Sequence, residues 1–383
     1  MKILNVIPAF TPSHGGTVTV LYRLSAELTK LGHTVTIICS DFNFDAKYAK
    51  SIEKLGVRVI PFHCTLSIAS FRISFSMKKW LKEHIDNFDI IHLHDFRSYQ
   101  TYVAARYAIK RNIPYILQPH NSMPTHTGKA RLKSVYDILM GRPVLDNMSK
   151  LIAVSREEVA YSVRLGIPPE KISQIYSGID VDTKLSKKQP FGLFRQKFDI
   201  KGAMILYLGR INKTKGIDIL IKSFYLLSRE IGDVTLVIAG LDDGFKSNLE
   251  KMIDDLGLDD KVRLTGVLND FDKISAYVDA DVFIHAVAYM GGVGLTPLEA
   301  LVCGTPVIVT KECGEIIDAA HCGYFVQYGD VEDLKDKIFY VLNNPEEARA
   351  TVIRGTEYLN ENLSWENIAR RVEQLYENVI CNL

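Results

Sequence analysis

With 383 residues, 47% apolar and 24% charged, the chain is long enough for two folded domains and too apolar for a disordered one. Its formal charge of +1 hides a division: residues 1–180 carry 23 Lys and Arg against 14 Asp and Glu, and the rest carries 23 against 31. A basic half suits phosphates or an anionic membrane surface, so the halves are expected to differ in their partners; nucleic acid is not an expected partner.

No apolar run reaches the roughly 18 residues of a membrane-spanning helix. The first apolar stretch, Ile3 to Ile7, stops at Pro8, which is too short for a secretory signal. Six cysteines (Cys39, Cys64, Cys303, Cys313, Cys322 and Cys381) are scattered without a C-x-x-C pair, as reduced, packed thiols are. The expected location is the cytoplasm, with a peripheral place on the inner membrane face left open.

Along the chain, short β-branched runs alternate with helical stretches, the sign of parallel sheets covered by helices. Ile3 to Ile7 reads as a strand, followed by a loop with Gly15 and Gly16. A helix follows with Val18, Leu21, Leu24, Leu28 and Leu31 at helical spacing, ended by Gly32, and a second strand covers residues 34–38. Further strands are expected at 57–60, 90–93, 115–117, 151–154 and 172–175. Lys184, Lys187, Lys188, Gln189 and Pro190 break the rhythm, so 181–199 reads as a linker. A second series follows at 204–208, 235–239, 262–264, 282–285, 306–309 and 323–326. A helix with Ile368, Val372 and Leu375 on one side closes the chain. The expectation is an α/β protein of two doubly wound parallel-sheet domains, 1–180 and 200–364. Ligands bind beyond the carboxyl ends of such strands, and two such edges facing each other would define a cleft.

Three strand-to-helix loops carry candidate chemistry. Gly15-Gly16 leaves room for a ligand against the backbone at a helix start, or is an ordinary tight turn. In Gly209-Arg210-Ile211-Asn212-Lys213-Thr214-Lys215-Gly216, Arg210 and Lys215 flank a loop before a helix near Ile217. The pair suits a diphosphate, Arg as a planar fork and Lys as a point charge, against the alternative of a solvated basic loop. In Gly291-Gly292-Val293-Gly294-Leu295-Thr296-Pro297-Leu298-Glu299-Ala300, a glycine-rich stretch opens a helix and offers free amides to phosphate oxygens. Glu299 on that helix is placed to accept from ribose or sugar hydroxyls.

These blocks, with Cys303 to Ile308, resemble family 4 (GT4) of the retaining glycosyltransferases, the group 1 transferases of GT-B fold. His92-Leu93-His94, Gln118-Pro119-His120, Ser177-Gly178-Ile179-Asp180 and Ala280 to Ile284 extend the resemblance nearly end to end. It implies two Rossmann-like domains facing across a cleft, acceptor-side first and donor-side second, with the helix from about 365 to 383 packing back on the first. It further implies that Arg210 and Lys215 clamp the donor diphosphate and that Gly292, Val293, Gly294, Leu295 and Thr296 lie against phosphate or sugar. Glu299 would hold the ribose, Gly15 and Gly16 would meet the diphosphate, and His120 would stand beside the transferring sugar. His92 and His94 suggest a metal only weakly, since no third ligand stands out, and the fold's enzymes typically need none.

There are two departures. The family's first glutamate, eight positions before Glu299, would fall at Gly291, which leaves donor identity open; Asp242 or Asp243 would be a substitute contact. Gly178 stands where the family often has Asn. The expected reaction is metal-independent, retaining transfer from a UDP- or GDP-sugar co-substrate, with no separate cofactor, to a glycan, lipid-linked or small-molecule hydroxyl in glycan biosynthesis. An epimerase of the same fold and a non-catalytic sugar-nucleotide-binding protein are the alternatives. Residues Phe71 to Lys82 and the cations Lys129, Arg131 and Lys133 read either as contacts for anionic membrane or as solvated surface.

Overall fold

The computed structural model describes residues 1–12, 15–68, 71–124, 136–181, 189–287 and 294–382. They form two compact units, one of residues 1–178 with 365–383, the other of residues 179–364.

The first unit contains β1 (Lys2–Ala9), β2 (Thr34–Ser40), β3 (Arg58–Phe62), a short antiparallel pair of β4 (Leu66–Ile68) and β5 (Phe71–Ile73), then β6 (Ile90–His94), β7 (Tyr115–Gln118), β8 (Lys150–Ala153) and β9 (Ile172–Gln174). Seven of these strands form a parallel sheet in the order β3-β2-β1-β6-β7-β8-β9. Ile3, Leu4, Val6 and Ile7 are all fully buried, which is why this strand reads as a continuous apolar run rather than an alternation. The order reverses between β1 and β6, so the loops leaving those strands flank the sheet's switch point.

Helix Gly16–Lys30 buries Val18, Leu21, Leu24 and Leu28. The C-terminal helix Trp365–Cys381 packs against it. This second helix is fixed by His33 Nε2 to Glu373 Oε1 at 2.7 Å and by His92 Nδ1 to the Tyr376 hydroxyl at 2.7 Å. Trp365 lies so close to Gly178 that a Cβ there would sit 2.5 Å from the indole. The Gly at 178 is therefore explained by packing. The stretch from Phe71 to Lys82 spans two elements: β5, then helix Phe75–His84, started by Ser74, whose Oγ accepts the Met77 N–H.

In the second unit, β10 (Ala203–Leu208), β11 (Val234–Ala239), β12 (Val262–Gly266), β13 (Val282–His285), β14 (Val307–Thr310) and β15 (Tyr324–Val326) form a parallel sheet in the order β12-β11-β10-β13-β14-β15. Its switch point lies between β10 and β13. Residues 189–199, part of the stretch read as a linker, belong to this unit. The buried Asp279 carboxylate accepts the N–H groups of Gly192, Phe194 and Arg195 at 2.6, 2.7 and 3.0 Å, capping the short helix Leu193–Lys197.

Each unit buries histidine in its sheet. Burial drives the His92 pKa down to about 3, and burial followed by the Lys215 charge does the same to His285. An unfolded chain takes up these protons near pH 6.5 and the folded one does not, so stability is lost as pH falls below 6.5 toward 3. Each such group is expected to cost about 1.4 kcal/mol per pH unit in that window. Thermal melts should show a midpoint level from pH 8 to 7 that falls below 6.5; a midpoint that rises on acidification to pH 5.5 would contradict neutral burial.

Candidate functional site

In the second unit the loop after β10 and the helix after β13 leave the sheet at its switch point. The first is a short, braced turn. Tyr207 donates its hydroxyl to the Arg210 carbonyl at 3.0 Å. Asn212 caps the turn Lys213–Lys215, its Oδ1 accepting from the Thr214 N–H and hydroxyl, each at 2.9 Å. Gly216 closes it in a left-handed conformation, φ 64, where an added Cβ would fall 2.3 Å from the Ala286 carbonyl oxygen. Only glycine allows that approach. The result seats the Lys215 side chain beside β13 and β14: its charge acts on His285 and feels the Cys313 thiol.

Lys215 is half-buried, and burial first, Arg210 second, holds its ammonium below the usual lysine range. Among the described residues no carboxylate pairs with it. Arg210 is mostly exposed and reaches Asp243 Oδ2 at 3.2 Å, which also accepts from Asn212 Nδ2 at 3.1 Å. Asp242 turns Oδ1 to the N–H groups of Gly244, Phe245 and Lys246. Both aspartates considered as sugar contacts are thus engaged locally.

Helix Leu295–Val302 starts from Gly294, which is buried with φ −66 and ψ 120. The amides of Leu295 and Thr296 lie in its first turn, and Pro297 next to them has no N–H to offer. Gly291, Gly292 and Val293 lie outside the described residues. Glu299 is held by two partners that the sequence did not reveal: Lys273 Nζ at 2.8 Å on Oε1 and the Tyr277 hydroxyl at 2.9 Å on Oε2. These use two of about four acceptor positions of the carboxylate, so capacity for hydroxyl donors remains. Burial and Glu299 together push the Tyr277 phenol up, which keeps it a donor.

In the first unit Gly15 caps helix Gly16–Lys30 at φ 88 and donates to the Pro12 carbonyl at 3.1 Å. Both glycines are exposed, and no described atom lies within 4 Å of an added Cβ at either. Across the switch point stand three imidazoles. The rings of His92 and His94 are 4.1 Å apart between centroids, and His94 Nδ1 meets His120 Nε2 at 3.0 Å. Burial holds all three neutral, with His92 and His120 down to about 3 and His94 well below its ordinary value. Among the described residues the other ring nitrogen of His120, Nδ1, makes no hydrogen bond. The described residues contain no group of three or more His, Cys, Asp or Glu set to hold a metal ion.

The turn carrying His120 is unusual. His120 and Asn121 have φ 52 and 60, and Asp95, facing them from the end of β6, has φ 66. Left-handed backbone is uncommon outside glycine, though Asn, Asp and His adopt it most readily, and here surrounding contacts hold it in place. They come from residues that the motifs did not single out. Arg97 forks onto Asp137 at 2.7 and 2.8 Å and donates to the carbonyls of Ser122 and Met123, both at 2.6 Å. Ser122 Oγ accepts the Phe96 N–H at 3.0 Å, and Glu158 accepts the Asn121 N–H at 2.6 Å. Burial lifts Asp95 to about 6 and Glu158 to about 7. Only Glu158 left a trace in the sequence, the S-x-x-E spacing from Ser155.

Residues 14–183 match the model of the glycosyltransferase family 4 domain and residues 188–358 that of glycosyl transferases group 1. An uncharacterized glycosyltransferase of Methanocaldococcus jannaschii is 28% identical, over 98% of both chains. The phosphatidyl-myo-inositol mannosyltransferase of Mycobacterium leprae is 25% identical, over 99% of this chain and 97% of its own. Among solved structures, Anabaena HepE in complex with UDP superposes with a TM-score of 0.82 at 18% identity, covering 99% of this chain and all of that one. Two Rossmann-like parallel-sheet units and family matches over both of them make this chain a GT-B glycosyltransferase of family 4, group 1.

Proposed function

We propose that the chain transfers a glycosyl group from a UDP- or GDP-sugar to an acceptor hydroxyl with retention of anomeric configuration. The observation that carries this is Lys215: a half-buried ammonium, lowered by burial, with no carboxylate partner among the described residues and with Arg210 close enough to lower it further. Arg210 has Asp243 beside it, whereas Lys215 feels a second cation and has no such partner among the described residues, so an arriving anion relieves the repulsion. A diphosphate at the switch point supplies that anion, and the amides of Leu295 and Thr296 add aligned dipoles. The nucleotides bound by relatives support the class: HepE was solved with UDP.

In this reading Arg210 and Lys215 neutralise the charge that grows on the departing diphosphate, the work a metal ion would otherwise do. Glu299, steadied by Lys273 and Tyr277, accepts from the ribose hydroxyls. Gly15 and Gly16 leave their backbone bare for the diphosphate, Gly294, Leu295 and Thr296 meet phosphate or sugar, and His120 contacts the transferring sugar. The acceptor oxygen bonds to the anomeric carbon on the face from which the phosphate leaves, and the acceptor proton passes to the leaving phosphate oxygen. No protein nucleophile or base is needed.

The acceptor is a hydroxyl of a glycan, lipid-linked or small-molecule substrate, and we propose peripheral contact of the first unit with an anionic membrane surface. In helix Phe75–His84, Phe75, Lys78, Lys79 and Lys82 are exposed at helical spacing while Met77 and Leu81 are buried. One face is therefore a basic stripe with an exposed aromatic residue. Lys129, Arg131 and Lys133 lie outside the described residues. No described helix is long and apolar enough to cross a membrane.

Three measurements test this. Arg210→Ala and Lys215→Ala should each lower transfer at least about tenfold, as loss of a charged transition-state contact does; unchanged kinetics in both would remove the diphosphate clamp. In thermal melts with UDP, GDP, ADP and their sugars, one nucleotide at about 100 times its Kd should add about 2.7 kcal/mol of stability. Glu299→Ala should shrink that gain, and an equal gain would free Glu299 of its ribose role. Vesicles containing anionic lipid should float the protein at low salt and release it at high salt; failure to float at low salt would end the membrane assignment.

A further inference from the structure

Glu158 has more to do than cap a helix. It stands in the first turn of helix Arg156–Arg164, three residues after the cap Ser155, whose Oγ accepts the Glu158 N–H at 3.1 Å. In a capping box the glutamate returns to the N–H of the capping residue itself. Here Oε2 instead takes the Val154 N–H at 2.8 Å, and Oε1 crosses to the Asn121 N–H at 2.6 Å. Glu158 is only 3% exposed, and no cation pairs with it among the described residues. Keeping a buried carboxylate for two backbone bonds is a costly way to cap a helix. Its second oxygen falls on the residue after His120, in a turn that carries two successive left-handed residues.

We propose that Glu158 is a positioning residue for glycosyl transfer. It locks the His120–Asn121 turn from one side while Arg97 holds Ser122 and Met123 from the other. The imidazole of His120, tied at Nε2 to His94, is thereby presented to the sugar at one fixed angle. The proposal rests on His120 contacting the transferring sugar, as argued above.

The full chain is assayed with UDP-glucose, UDP-N-acetylglucosamine and GDP-mannose, read as release of the nucleoside diphosphate. Imidazole resonances of His120 are recorded alongside. Glu158→Gln keeps the size and one acceptor but turns an NH2 toward one of the two N–H groups. It should lower kcat at least about tenfold with KM for the donor within about twofold, the signature of misplacement without lost binding, and should shift the His120 resonances. Ser155→Ala removes the cap from the same helix and should lower the melting midpoint while leaving kcat within about twofold. If Glu158→Gln does not fold, Glu158→Asp, a carboxylate one methylene short of spanning both N–H groups, is read in the same way. Wild-type kcat in the Glu158 variant, or an equal loss in Ser155→Ala, overturns the proposal. Should the wild type release no diphosphate from any donor, the transfer reading falls on its own, and the lock is judged by the resonances: unmoved in Glu158→Gln, they overturn it too.

Discussion

Parallel strands buried on both faces must each be followed by a covering connection, and this constraint organises everything else. Every strand-to-helix loop then emerges at the same edge of its sheet. In the second unit that geometry brings the loop after β10 and the helix start after β13 to adjacent strands. Residues 210–215 and the helix start at Gly294 thus follow neighbouring strands although some 80 residues apart in sequence. The contact is tightened to backbone distance at Gly216, against the carbonyl of Ala286. A side chain there would have to push the turn away from β13 and carry the Lys215 ammonium with it.

How buried charge is treated separates scaffold from site. Asp279 receives three backbone N–H groups, Glu158 two, and Glu299 a lysine and a phenol. These carboxylates are satisfied within the chain, as burial demands. Lys215 is treated differently: burial lowers it and a neighbouring arginine lowers it further. Where the buried carboxylates find donors within the chain, Lys215 has no carboxylate beside it among the described residues, as suits a cation that an incoming anion completes under the proposed function.

What could be read from the sequence follows the same division. Thirteen strands lie within a residue or two of their expected places. The inner ones were visible because burial writes them as apolar runs, and the partly buried edge strands β3, β9, β12 and β15 because they are short apolar-containing runs between turns. The short β4–β5 pair was not, because three-residue strands fall below any periodic signal and the stretch from Phe71 also fits an amphipathic helix. In the site, residues adjacent in sequence were legible, such as Arg210 with Lys215. Residues that meet only by folding were not: Lys273 and Tyr277 lie on a helix distant in sequence from Glu299, and Arg97 reaches Asp137 across 40 positions. Side-chain reach of this kind leaves no spacing to detect.

The neutral state of the histidine cluster bears on the chemistry. An imidazole driven to about 3 by burial takes up a proton near neutrality only at a cost of several kcal/mol, which makes His120 a poor general base. It remains a good hydrogen-bonding group, and its tie to His94 at 3.0 Å commits Nε2 and leaves Nδ1 for a ligand. A phosphate oxygen leaving with a full negative charge, by contrast, is a competent proton acceptor, and in the proposed same-face geometry it is already beside the acceptor hydroxyl. A neutral imidazole suits orienting a ligand rather than taking its proton, and under the proposed transfer the substrate's own diphosphate serves as base.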